Sequence, residues 1–277
     1  MKKLSIFIIL LSVSLVCIYI VFVSKNNVEQ IPEEKSKIQL SVKTSWQIQL
    51  QGIFGKDRDS NLYIVDLFDV STTTVHSLKS RGKVVICYFS AGTGEDWRTD
   101  YWKFKEKDMG KKLTDWPGER WLDTKSLHVR EIMVSRLDIA KDKGCDGVDP
   151  DNIDAYSNDN GILLTADTQI KYNIFLSEEA HKRGLLIGLK NDVSQIKYLV
   201  SYFDFATNEQ CFKFSECEGY SIFTSHNKPV FDIEYDTVYS NNIHGRRDDL
   251  CRLADTMNIR TIISSKELDG RFIYSCD

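Results

Sequence analysis

From residue 44 onward, short apolar runs alternate with longer amphipathic stretches. The runs fall at 46–51, 62–68, 84–89, 147–151, 186–190, 203–208, 230–234 and 261–264. Each has the length of a strand and most are flanked by polar or glycine-containing turns. Between them apolar residues recur at helical spacing, most clearly over 127–143, 166–183 and 246–257. Eight strands separated by helices over roughly 230 residues predict a (β/α)8 barrel of the TIM type. A doubly wound open sheet is the competing arrangement, but no Gly-x-Gly-x-x-Gly follows the early strands.

Such a barrel carries its chemistry at the C-terminal ends of its strands, so polar residues that close apolar runs become the candidates. Asp66 and Asp69 close the second run, Ser90 the third, Asp149 and Asp151 the fourth, Lys190 and Asn191 the fifth, Glu209 the sixth, and Glu234 and Asp236 the seventh. The densest stretch is 146–154, Asp-Gly-Val-Asp-Pro-Asp-Asn-Ile-Asp. A buried carboxylate without a partner costs several kcal/mol or takes up a proton, so this concentration points to a working cleft.

Period-two alternation puts Asp149 and Asp151 on one face of the fourth strand, about 7 Å apart by the strand repeat. Paired carboxylates divided between acid and nucleophile, or acid and base, are what glycosidic cleavage needs. Asp151 is the candidate reacting carboxylate of this face, and either Glu209 or Glu234 could face it across the mouth. Asp66, Asp149, Lys190 and Glu234 are expected to shape the substrate subsites, Lys190 by pairing with the carboxylates. Asp146 and Asp154 read as structural.

Four tryptophans, Trp97, Trp102, Trp116 and Trp121, fall in the long segment after the third strand. Rings above a barrel mouth suit sugar faces or a cationic ligand, although two of the four are expected to pack the loop itself. Trp97 and Trp121 are assigned to substrate.

Composition narrows the classes. The chain has 277 residues, a net charge of −4 and a pI near 5.8. It has no Lys/Arg stripe interleaved with aromatics, which argues against nucleic acid. Asp57-Arg-Asp59-Ser-Asn61 begins like a calcium loop, but Leu62 stands where glycine is required. No His-Glu-x-x-His, P-loop or Gly-x-Ser-x-Gly occurs, so no metal or cofactor is expected.

Lys2 and Lys3 precede an uninterrupted apolar stretch over 4–23, long enough to cross a bilayer. Residues 1–24 therefore read as a signal-anchor or signal peptide, 25–43 as a polar linker and 44–277 as the barrel. Bulky residues up to Val23 favour an uncleaved membrane anchor, with the catalytic part extracellular or at the cell surface. Export permits disulfides: Cys211 with Cys217 and Cys251 with Cys276 are the candidate pairs. Cys87 and Cys145 lie in apolar runs and are expected to be buried free thiols.

Several stretches carry a family resemblance: Trp46-Gln-Ile-Gln-Leu-Gln-Gly52, Asp66-Leu-Phe-Asp69, Val85-Ile-Cys-Tyr-Phe-Ser-Ala-Gly92, Glu95-Asp-Trp-Arg98, Trp116-Pro-Gly-Glu-Arg-Trp-Leu-Asp123, Asp146-Gly-Val-Asp-Pro-Asp-Asn152, Gly188-Leu-Lys-Asn191, Asn208-Glu-Gln-Cys211 and Glu234-Tyr-Asp236. In this order, across the whole barrel region, they resemble glycoside hydrolase family 114, the endo-α-1,4-polygalactosaminidase-type TIM barrels. The resemblance implies an extracellular hydrolase that cuts α-1,4-linked galactosamine polysaccharide internally without an organic cofactor. Asp151 matches the family's Pro-Asp-Asn motif and Glu209 its Asn-Glu-Gln motif, while Asp149 stands where members often carry Glu. Two other readings stand beside it: a non-catalytic carbohydrate-binding surface protein on the same barrel, and an enzyme for another amino sugar or glycoconjugate.

Overall fold

A computed structural model describes residues 38–55 and 58–277. The apolar stretch at 4–23, Cys17 and most of the 25–43 linker lie outside them. Among the described residues no helix is long and apolar enough to cross a membrane.

All eight expected strands are present: β1 (Trp46–Gln49), β2 (Leu62–Asp66), β3 (Val84–Ser90), β7 (Gly147–Asp151), β8 (Leu186–Lys190), β9 (Phe205–Glu209), β10 (Val230–Glu234) and β11 (Ile259–Ser264). They pair in parallel in that order, and a short β12 (Ile273–Ser275) adds antiparallel to β11. The result is a nearly closed barrel. Across its seam the Trp46 indole on β1 donates to the carbonyl of Arg260 on β11 at 2.8 Å. Helices α1 (Thr72–Ser80), α2 (Leu127–Lys143), α3 (Ala166–Lys182) and α4 (Arg246–Met257) pack outside. Ser71 caps α1, Thr165 and Thr168 form a capping box on α3, and Gly144 ends α2 at φ 84°, where only glycine is unstrained.

Each barrel strand is sorted by its period of two. Ile48, Ile64, Ile86, Phe205, Phe231 and Ile262 fill the interior, while Val65, Val85, Cys87, Val148, Ile187 and Leu189 face the helices. Gly188 belongs to the inner set because a Cβ there would stand 2.3 Å from the Phe205 ring.

Two features differ from the sequence reading. The segment after β3 is not an irregular loop: it contains β4 (Thr93–Glu95), β5 (Met109–Lys112) and β6 (Glu119–Leu122), an antiparallel sheet of order β4-β6-β5. These strands are three or four residues long and lack an apolar run, so periodicity does not reveal them.

The second is a correction: Cys87 and Cys145 are not free thiols but a disulfide, beside the expected Cys211–Cys217 and Cys251–Cys276 bonds. Cys87 points outward from β3, and Cys145 enters the adjacent β7, so the strand order joins residues 58 apart in sequence. A loop of that size is worth about 2–4 kcal/mol through unfolded-state entropy. Replacing both cysteines by Ala is expected to lower the unfolding free energy by that amount, seen as a lower denaturant midpoint, with an unchanged fold by circular dichroism. An unaltered midpoint would show that the bond adds nothing.

Candidate active site

The alternation that fills the barrel also builds its mouth. Extending the inner faces toward the C-terminal strand ends brings Asp66 on β2, Tyr88 on β3, Asp149 and Asp151 on β7, Lys190 on β8, Thr207 and Glu209 on β9, and Tyr235 after β10 around one opening. Asp151, Glu209, Tyr88 and Tyr235 line a cleft of about 820 Å³ above them.

The Tyr88 hydroxyl donates to Asp151 Oδ2 at 2.8 Å, and the Asn152 backbone N–H donates to Asp151 Oδ1 at 2.8 Å. Glu209 accepts from the Tyr235 hydroxyl, and Asn191 Oδ1 holds the Glu209 backbone N–H at 3.1 Å. Burial, then the neighbouring carboxylate charge, pushes both phenols well above the ordinary tyrosine value, so they remain donors. Lys190 lies beneath, its Nζ 3.6 Å from Asp149 Oδ2 and 3.9 Å from Asp151 Oδ1. Burial acts to deprotonate it, but the charges of Asp151, Asp149 and Glu209 outweigh that and raise its pKa. Asp149 is fully buried and accepts from Thr207 at 2.5 Å. Burial raises its pKa despite Lys190.

One wall of the cleft comes from the small sheet. Trp97, Trp116, Glu119 and Trp121 line it, with Arg98 at its base. Arg98 donates to both Asp66 oxygens at 3.0 and 2.6 Å and to Glu95 at 3.0 Å. Arg136 from α2, fully buried, grips Asp100 twice at 2.9 Å and the Ser90 carbonyl at 2.6 Å. These two guanidinium groups fasten the sheet over the barrel. Gly92 allows the junction, since a Cβ there would stand 1.7 Å from the Asn152 carbonyl oxygen.

The sequence pattern of glycoside-hydrolase family GH114 matches residues 27–277. The chain belongs to that family. The crystal structure of Aspergillus fumigatus Ega3 in complex with galactosamine is 41% identical, covers 87% of this chain and 98% of its own, and superposes with a TM-score of 0.81. The glycoside hydrolase domain of PelA from Pseudomonas aeruginosa, 13% identical over 82% of this chain and 96% of its own, shares the fold with a TM-score of 0.62. A search among curated proteins found no match.

Within this GH114 barrel the candidates divide. Asp151, Glu209, Asp66, Trp97 and Trp121 all line the cleft, and Asp149 and Lys190 form the layer under it. Glu234 is turned away. Its position on β10 has the parity of Val230, which packs on the helices, and Oε1 accepts from the backbone N–H of Phe212 at 2.8 Å. Burial lifts its pKa to about 7. Asp236 caps the helix that follows by accepting from Val238 N at 3.0 Å. Asp146 sits at the opposite end of β7, bonded to Val85 N at 2.9 Å and paired with Lys79 at 2.7 Å.

Asp154, read as structural, lines the cleft, and burial raises its pKa to about 6. Tyr235 was legible in principle, because it continues the inward parity of Phe231 and Ile233. Glu95 and Glu119 lie on strands that carry no periodic signal, and Arg98 lies in the turn after β4.

Proposed function

We propose that this GH114 glycoside hydrolase is an extracellular, endo-acting enzyme for α-1,4-linked galactosamine polysaccharide, with Asp151 as nucleophile or base and Glu209 as general acid. The observation that carries the reading is the pair itself: two carboxylates on alternate strands, each oriented by a tyrosine, at the base of a cleft with tryptophans on one wall. Glu209 protonates the glycosidic oxygen as the C1–O bond breaks, and Asp151 either attacks C1 or takes the proton of an attacking water. Lys190 offsets the charge of Asp149 and Asp151 from below. The bound galactosamine of the 41% identical Ega3 supports an amino-sugar substrate. Three disulfides support an oxidising, extracellular setting.

Incubating the purified protein with de-N-acetylated α-1,4-galactosamine polymer is expected to give new reducing ends together with a ladder of oligomers early in the reaction. Release of monosaccharide alone would contradict internal cleavage. Binding without new reducing ends at any pH from about 4 to 8 would instead favour a carbohydrate-binding surface protein.

A further inference from the structure

Directly after Glu209 the chain turns back through Gln210, whose φ of 68° lies in the left-handed region that favours glycine. A side chain held there needs its surroundings to keep it, and such positions concentrate at functional sites. Here the surroundings come from β10. The Ile233 carbonyl accepts from Gln210 N at 2.8 Å, and Asp232 Oδ1 accepts from Cys211 N at 3.3 Å. Glu234 Oε1 accepts from Phe212 N at 2.8 Å and from Lys213 N at 3.4 Å. Three successive residues of one strand thus fix the four successive N–H groups that follow Glu209, and the next residue, Tyr235, holds the Glu209 side chain. The Cys211–Cys217 bond closes the same segment from its far side.

Asp232 and Glu234 are costly residues for this face. They share the outward parity of Val230, and the neighbouring strands β7 and β8 present Val148, Ile187 and Leu189 to the helices at such positions. Both acids are fully buried. Burial, then the charge of Glu234, raises the Asp232 pKa well above the ordinary aspartate value. Buried acids side by side are unfavourable unless their oxygens are used. Those oxygens bind the backbone after Glu209, together with the Thr261 hydroxyl, which donates to Asp232 Oδ2 at 3.0 Å.

We infer that Glu234 is a positioning residue for the reaction: by holding the Phe212 and Lys213 N–H groups it fixes the left-handed turn at Gln210, and so the direction in which β9 presents the Glu209 carboxyl to the glycosidic bond. The inference rests on the reacting role of Glu209 proposed above. Without the acceptor, Gln210 is free to relax toward negative φ, which rotates the adjoining Glu209 backbone and draws its carboxyl away from the Tyr235 hydroxyl. A displacement of about 1 Å at a reacting group is enough to cost on the order of 10²-fold in rate. The N–H groups require an oxygen and not a charge, so an amide at position 234 can serve them as a carboxylate does.

The test is a double-mutant cycle in the full-length protein, read as kcat on de-N-acetylated α-1,4-galactosamine oligomers. Glu234→Met keeps a similar volume without an acceptor oxygen, and its kcat is expected to fall about 10–100-fold. Glu234→Gln keeps the oxygen and should recover most of that rate. In the Glu209→Gln background, where no carboxylate is left to place, Glu234→Met should cost less than about threefold more. Losses that multiply, no recovery in Glu234→Gln, or a Glu234→Met rate within about threefold of wild type would each overturn the inference. Full activity in Glu209→Gln alone would instead remove Glu209 from the reaction, and the role of Glu234 with it. Amide hydrogen exchange of the folded wild type decides the matter should Glu234→Met not fold. The Phe212 and Lys213 amides are expected to exchange as slowly as those of β9, in one cooperative unit with it. Exchange at the rate of an unprotected loop would show that no such clamp exists.

Discussion

Asp151→Asn and Glu209→Gln are each expected to lower kcat on de-N-acetylated galactosamine oligomers by roughly 10²–10⁴-fold or more. Both substitutions preserve side-chain size and leave one oxygen for the tyrosine that orients it, Tyr88 for Asp151 and Tyr235 for Glu209. Folding should therefore survive, and a cooperative melt with native circular dichroism is the control. The two losses are separable by leaving group. Glycosides whose leaving group departs readily as an anion need little protonation, so they should restore much of the bond-breaking rate in Glu209→Gln and little in Asp151→Asn. A variant retaining activity within tenfold of wild type on the natural linkage would strike that residue from the mechanism. Recovery in Asp151→Asn but not Glu209→Gln would exchange the roles.

The parts of the site legible in the sequence are those carried by barrel strands. Val148 pointing out and Asp149 pointing in follow from alternation alone, and once β7 is fixed, Asp151 must reach the mouth. The same rule applied to Glu209 succeeds because Phe205 marks the inward face two residues before Thr207. On β10 the inward pair is Phe231 and Ile233, so Glu234, one residue further on, has the outward phase. A strand-end carboxylate in the wrong phase faces the helices, and Glu234 binds the backbone after β9 instead. Glu119 and Glu95 were hidden for a different reason. Strands of three or four residues sitting on a barrel rim need no long apolar run, because Arg98 and Arg136 pair with Glu95 while Leu122 joins the core. The Cys87–Cys145 bond was hidden because an apolar setting is shared by buried thiols and buried disulfides; the adjacency of β3 and β7 distinguishes them.

Lys190→Met is expected to be the most damaging change beneath the mouth. Lys190 is 2% exposed and is the ammonium shared by Asp149 and Asp151. A methionine of similar volume fills the space but leaves buried carboxylates without their counter-charge, and breaking a buried pair in this way costs about 3–5 kcal/mol. The pH dependence follows from proton linkage. Once the lysine is gone, the folded-state pKa of Asp149, already raised by burial, rises further above its unfolded value, so the native state binds a proton that the unfolded state has released. The penalty is then fully present above the folded-state values and disappears as pH falls to the unfolded aspartate value near about 4. The stability gap between wild type and variant, measured by urea unfolding, should accordingly be widest at pH 8 and shrink steadily toward pH 5. A gap of constant size across that range would mean that Lys190 acts through packing rather than charge. A gap below about 1 kcal/mol at pH 8 would mean that water, rather than the lysine, compensates the carboxylates.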